Sequence, residues 1–242
     1  MALSNYQLIL LDNLIYLDKI AKIKSETEKD EKYTVANMIS DLLDKDKNEI
    51  ENYWKDELKE DQSDKNNPGL CLMKLDEWID VLEAIQNDET LMNMKISNIS
   101  DSDSAINPNK PSQGTNFRAA CFSNDEETVI VFRGTHGAYT WNDNGEGGYL
   151  PDTASQQEAL DYVNLLGANL TTSGKITVTG HSKGGNLAQY VTICAANLIV
   201  DRCVSFDGQG ASNEITNTPF LQPMLYWLSC PGFAQYKGAN IA

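Results

Sequence analysis

Residues 176–191 have the sequence ITVTGHSKGGNLAQYV, and this stretch carries the strongest structural signal in the chain. Strand-forming residues at 176–179 lead into the pattern G-x-S-x-G at 180–184, and helix-forming residues follow at once. A serine on such a sharp strand-to-helix turn projects its hydroxyl from the edge of a sheet, which makes Ser182 a candidate nucleophile. Gly180 and Gly184 remove Cβ atoms that would clash in that turn. The alternative is a glycine-rich turn with an unreactive serine.

The elements around this turn predict an α/β fold. Residues 183–199 are expected to form a helix and residues 202–206 a strand, and a helix is expected upstream at 157–168. Two runs of strand formers, at 117–122 and 128–132, predict a hairpin. Strands that alternate with helices are typical of a parallel sheet covered on both faces, so we expect a mostly parallel sheet.

The chain is expected to divide into three parts. Residues 1–96 predict an N-terminal helical region, because apolar residues recur at helical spacing and no Gly or Pro precedes Pro68. Residues 97–115 are rich in Ser, Asp, Asn and Pro, which predicts a loop or linker. Residues 116–242 would form the core. Lys237 is the one charged residue from position 217 onward, which indicates a buried terminal segment or an atypical or truncated end.

Two further motifs accompany the glycine-rich turn. VFRGT stands at 131–135, VTGHSKGGNLA at 178–188 and SFDGQG at 205–210. Together they resemble the class 3 (fungal-type) lipase family of α/β-hydrolases, and they look closest to a bacterial lipase-like branch of it. The resemblance covers roughly residues 115–215. It implies an α/β-hydrolase core and hydrolysis of a small-molecule ester or lipid. It also implies that the residue after Arg-Gly, here Thr135, donates to the oxyanion, and that residues 136–149 form a lid. The alternatives are that Thr135 caps a turn and that residues 136–149 form an ordinary surface loop.

The residues themselves support this arrangement of donors and acid. The backbone N–H of Lys183 lies in the first turn of the helix, where amides lack intrahelical partners, and could bind an oxyanion. Thr135 ends a predicted strand at the same sheet edge. Asp207 directly follows the strand at 202–206 and shares that edge with Ser182, whereas Asp201 lies at the opposite end. Asp207 is therefore the candidate acid, although it could instead cap the turn that follows it.

The general base is harder to assign. In α/β-hydrolases the order is Ser, then acid, then His, but both histidines of this sequence, His136 and His181, precede Ser182. His181 adjoins the nucleophile, so its ring is expected to point away from it. Three explanations stay open: a truncated or altered chain, His136 acting as the base, or ligand binding without turnover. The sequence thus predicts a serine ester hydrolase, with a non-catalytic binding or scaffold protein as the alternative. A peptidase or acyltransferase on the same fold is less favoured.

Composition limits the partners. The net charge of −16 disfavours nucleic acid and anionic membranes, so the expected partner is a small-molecule ester or lipid. The first 12 residues lack a basic region before their apolar stretch, and no apolar run is long enough to span a bilayer. We therefore expect a cytoplasmic protein without stable membrane insertion. The five cysteines include no CxxC pair, and the chemistry requires no metal or cofactor. Oligomeric state is not predicted.

Overall fold

The computed structural model describes residues 2–27, 33–43, 75–102, 117–135, 152–169 and 174–210. The helices of these segments are α1 (Asn5–Leu14), α2 (Asp18–Lys22), α3 (Lys24–Thr27), α4 (Val35–Leu43), α5 (Leu75–Gln86), α6 (Glu89–Met92), α7 (Ala154–Asn169) and α8 (Lys183–Cys194). The strands are β1 (Lys95–Asp101), β2 (Arg118–Ser123), β3 (Glu127–Phe132), β4 (Lys175–His181) and β5 (Arg202–Phe206). Helices and strands together place the protein in the α/β class.

The five strands form one sheet in the order β1-β2-β3-β4-β5. The pairs β1–β2 and β2–β3 are antiparallel, and the pairs β3–β4 and β4–β5 are parallel. The sheet is therefore mixed, and the expectation of a mostly parallel sheet has to be corrected. The connections explain the difference, because a short turn can join only antiparallel strands, as at 124–126, whereas parallel neighbours need a helical crossover such as α7 or α8.

Strand β1 lies partly in the segment that the sequence assigned to a loop from residue 97. Its register with β2 shifts between Ser97 and Ser100, which marks a β-bulge, and Asn98 adopts a φ of 50° there. The bulge lets Ile96 and Ile99, three residues apart, both be buried. The apolar spacing therefore does not follow the period of two by which a regular strand is recognised.

Residues on the two faces of the sheet contribute to two separate apolar cores. One face packs against the N-terminal helices and contributes Phe122, Val129 and Val131 to a core with α1 to α6. The other face packs against α7 and α8 through residues such as Ile130 and Val178. The N-terminal helices thus cover the sheet directly. No helix in the described part of the chain is long and apolar enough to cross a membrane.

Polar contacts also fasten the N-terminal segment to this sheet. The buried carboxylate of Glu127 accepts hydrogen bonds from the backbone N–H of Leu3, at 2.8 Å, and from the Thr177 hydroxyl. In the last turn of α1, Asp12 is 2% exposed, and one of its oxygens accepts a hydrogen bond from the Thr179 hydroxyl at 3.1 Å. Burial raises the pKa of Asp12 well above its usual value, and the Thr179 bond opposes this only in part.

Candidate functional site

Ser182 occupies the turn between β4 and α8. Its backbone has a φ of 54° and a ψ of −121°, a conformation that a residue with a Cβ rarely adopts. Ser182 is the N-cap residue of α8, yet its side chain makes no capping hydrogen bond. A serine at this position usually accepts from an amide of the first helical turn. Residues held in strained backbone conformations cluster at functional sites. Here the half-buried hydroxyl of the strained residue does not cap the helix.

The two glycines of the motif allow the close approach on which this turn depends. A Cβ on Gly180 would lie 2.4 Å from the carbonyl carbon of Gly184. A Cβ on Gly184 would lie 2.1 Å from the carbonyl oxygen of Phe132, the last residue of β3. The first turn of α8 therefore sits directly on the end of β3, and only glycine fits at the contact.

The segment that follows β3 lies on one side of the Ser182 turn. Gly134 meets the residue before the serine, since a Cβ built on Gly134 would lie 2.5 Å from the carbonyl oxygen of His181. Thr135 is the next residue and is 6% exposed. Lys183, whose backbone amide is the other candidate donor, opens α8 and is buried. The structure thus gathers the residues of both candidate donors at the carboxyl edge of the sheet.

Asp207 lies on the other side of the same turn. His181 pairs with Phe206 in the sheet, and the Ser182 backbone N–H donates to the Phe206 carbonyl at 2.8 Å. Ser182 and Asp207 therefore leave neighbouring strands at the same edge. Asp207 is exposed and has a φ of 50°. Asp201 lies at the opposite edge, where its carboxylate accepts from the Ile176 backbone N–H at 2.8 Å.

Asn186 holds the loop that follows Asp207, and the sequence had not singled this residue out. Its side-chain amide donates to the carbonyls of Gln209 and Gly210, at 3.1 and 3.2 Å. Its side-chain oxygen accepts from Gln156 at 2.9 Å. The backbone N–H of Asn186 donates to the Ser182 carbonyl at 3.1 Å. One buried residue therefore connects the serine turn through its backbone, and the Asp207 loop and α7 through its side chain.

A second connection joins the start of α7 to the start of α8. Thr153 and Gln156 form a capping box, in which Gln156 N–H donates to the Thr153 hydroxyl and Thr153 N–H donates to the Gln156 side chain. The ammonium of Lys183, which is 1% exposed, donates to the same Thr153 hydroxyl at 3.3 Å. The T-x-x-Q pattern at 153–156 is a sequence signal for this helix start. Sequence reasoning used only the backbone amide of Lys183 and missed its side chain.

The two histidines differ in what the structure describes. His181 is exposed, and its Nδ1 lies 3.4 Å from the Tyr16 hydroxyl in the turn after α1. Its ring is thus directed toward the N-terminal helices. His136, the other candidate base, and the lid expected at residues 136–149 lie outside the described residues.

Comparison with known proteins assigns the chain to a family. No curated protein matches the chain. A family model described as Mbeg1-like matches residues 86–225, which is more than half of the chain and includes β3, the Ser182 turn and Asp207. The chain belongs to the Mbeg1-like family, a lipase-like family.

Proposed function

We propose that the protein is a serine hydrolase of esters or lipids, built on an α/β-hydrolase fold, with Ser182 as its nucleophile. The observation that carries the proposal is the backbone conformation of Ser182, which has a φ of 54°. This residue joins a buried strand to a helix that its side chain does not cap. Strain of this kind costs about 1–3 kcal/mol and persists only where the surroundings enforce it. A reaction at the Ser182 hydroxyl accounts for the strained backbone at this position.

In the proposed reaction, the Ser182 hydroxyl oxygen attacks the ester carbonyl and loses its proton to a base. The oxyanion that forms on the substrate accepts hydrogen bonds from the Lys183 backbone N–H and from Thr135. Each such donor lowers the barrier by about 3–4 kcal/mol. As the intermediate collapses, the base returns the proton to the leaving oxygen, so that the alcohol departs and an acyl-serine remains. Water, deprotonated by the same base, then attacks the acyl-serine and releases the free acid and Ser182. No metal or cofactor enters these steps.

Asp207 is proposed as the acid that orients the base. Its support is positional, because it follows β5 directly and adjoins Ser182 at one sheet edge. His136 is the proposed base, since it directly follows Thr135 in the sequence. A histidine after Ser182 would be the usual arrangement, and this sequence has none.

The finer relationship is also a proposal. The motifs VFRGT, VTGHSKGGNLA and SFDGQG support a place near the class 3 lipases, in a bacterial lipase-like branch. We further propose that residues 116–242 form the hydrolase core together with β1, and that the helical region before β1 packs on its sheet. Partners would be small-molecule esters or lipids. The net charge of −16 opposes nucleic acid, and we propose no stable membrane insertion.

A fluorophosphonate probe, which phosphonylates activated serines, tests the proposal. Wild type should be labelled and Ser182→Ala should not be. Ser123→Ala is a matched control, because Ser123 is a half-buried serine at the end of β2 and pairs with Thr128 near the opposite sheet edge. It should be labelled like wild type. Labelling that survives Ser182→Ala would overturn the assignment of the nucleophile.

Two further variants test the acid and the base in the same assay. Asp207→Asn and His136→Ala should each slow labelling, since an enzyme without one triad member retains only about 10³–10⁴-fold catalysis over water. An unchanged rate in His136→Ala would remove that histidine as the base.

The second candidate function is a non-catalytic binding or scaffold protein. It is favoured by one observation, that both histidines precede Ser182. The same probe separates the two functions, because a scaffold would leave wild type and Ser182→Ala equally unlabelled.

A further inference from the structure

We propose that Tyr16 is a positioning residue that holds the Thr135 turn, the segment 133–135, against the serine turn. This inference rests on the proposed function, because it concerns the alignment of the oxyanion donors. It extends the site to a residue outside the family match at 86–225. Tyr16 would act through Gly134 and would not contact the substrate.

The Tyr16 hydroxyl lies beside both His181 and Gly134. The hydroxyl lies 3.4 Å from His181 Nδ1, one residue before the nucleophile. It lies 2.0 Å from the position that a Cβ on Gly134 would occupy, so it rests directly against the Gly134 Cα. The His181 carbonyl oxygen approaches that same position to 2.5 Å. The phenol therefore closes the contact between the Thr135 turn and the serine turn from the side of the N-terminal helices.

Contacts with Arg118 hold the backbone around Tyr16, and they thereby position the Tyr16 hydroxyl beside Gly134. Arg118, which is 2% exposed, directs Nη1 toward the carbonyls of Ile15, Tyr16 and Leu17 at 3.5, 3.5 and 3.2 Å. A cation at these carbonyls stabilises the end of a helix. Asp101 holds the guanidinium in turn, with Arg118 Nε 3.1 Å from its carboxylate.

The same arginine also borders the Thr135 turn. The backbone N–H of Arg133, the first residue of that turn, donates to the carbonyl of Arg118 at 2.9 Å. The end of α1 and the start of the Thr135 turn are thus held by one residue of β2. The Tyr16 ring spans the remaining gap and meets Gly134. A shift of Gly134 would carry the amide of Thr135 with it, and oxyanion donors act only within a narrow range of distance.

Tyr16→Phe tests this role, because it removes the hydroxyl and keeps the ring. The matched control is Tyr6→Phe in α1, since Tyr6 is 62% exposed. With the fluorophosphonate probe, the first-order labelling rate at saturation should fall roughly three- to tenfold in Tyr16→Phe, with the half-saturating concentration unchanged. Both variants should melt close to wild type. A rate equal to that of Tyr6→Phe would overturn the proposal, and so would a change confined to the half-saturating concentration.

A double-mutant cycle separates positioning from a general loss of structure. If Tyr16 acts through its contact with Gly134, Tyr16→Phe should slow labelling less in a Gly134→Ala background, where the added Cβ already displaces that contact, than in wild type. An equal loss in both backgrounds would overturn the inference. If wild type is labelled and Tyr16→Phe matches it, the inference fails and the proposed function stands. If wild type is not labelled at all, the proposed function fails, and the inference fails with it.

Discussion

Replacement of the buried Asp12 by asparagine should change how the stability of the protein depends on pH. Asp12 is 2% exposed in α1, and one carboxyl oxygen accepts from the Thr179 hydroxyl at 3.1 Å. The other oxygen is buried and has no hydrogen-bond partner among the residues that the structure describes. The side-chain oxygen of an asparagine can accept the same Thr179 bond. The variant therefore keeps the contact and removes the titratable group.

The sign of the effect follows from the direction of the pKa shift. Burial raises the pKa of Asp12 well above its usual value of 3.8, so the folded protein keeps the proton after the unfolded chain has lost it. The unfolded state then binds fewer protons, and the free energy of unfolding falls as pH rises from about 3.8 toward the folded-state pKa. The slope is at most about 1.4 kcal/mol per pH unit for one proton. Over two units, wild type would lose up to about 2.7 kcal/mol relative to Asp12→Asn.

Urea unfolding between about pH 5 and pH 7 measures this difference, above the sequence pI of about 4.4. The advantage of Asp12→Asn over wild type should grow with pH until the folded-state pKa of Asp12 is passed, and then level off. Asp80→Asn is the control, since Asp80 is exposed on α5, and its difference from wild type should stay nearly flat. If the difference between Asp12→Asn and wild type were also independent of pH, Asp12 would not be a neutral buried acid.

Two other substitutions probe the packing around the site. Gly184→Ala places a Cβ 2.1 Å from the Phe132 carbonyl oxygen and should cost about 1–3 kcal/mol of unfolding free energy. Gly210→Ala meets nothing within 4 Å and should change stability by less than about 0.5 kcal/mol; equal losses would contradict the packing account. Asn186→Asp removes an amide that donates to two carbonyls and should cost about 1–3 kcal/mol by urea unfolding. Asn164→Asp is the control and should be tolerated, because the side-chain oxygen of Asn164 accepts from two backbone N–H groups and an aspartate oxygen can do the same. If both variants lost the same stability, the bonds that the Asn186 amide donates would be unimportant.

The sequence predicted most of the sheet that carries the site, because those strands are short apolar runs bounded by turn residues. Strand β5 occupies the predicted residues 202–206, and the predicted hairpin is formed by β2 and β3. Helix α5, Leu75–Gln86, lies within the region 1–96 that the sequence predicts to be helical. Local pattern suffices in these elements since burial of one face determines both the period and the ends.

Elsewhere, tertiary contacts decided what local pattern could not. Helix α8 was expected to reach residue 199 but ends at Cys194, because the backbone N–H groups of Ala196 and Asn197 donate to the Asn164 side chain of α7. Strand β1 was missed because its bulge breaks the alternation of apolar residues. The meeting of Tyr16 with Gly134 joins positions more than a hundred residues apart, and no spacing rule indicates it.

Polar contacts join α1 and the residues on either side of it to the strand that ends at the candidate site. Three alternate residues of β4 contact or lie near them: Thr177 shares Glu127 with the Leu3 backbone, Thr179 bonds Asp12, and His181 lies beside Tyr16. The hydrophobic effect is non-directional, whereas hydrogen bonds in a buried setting add directional constraints on the position of the helix. The strand they hold ends at Ser182. The family match begins at residue 86, beyond α1. Even so, α1 helps to hold that strand in position through the bond between Asp12 and Thr179.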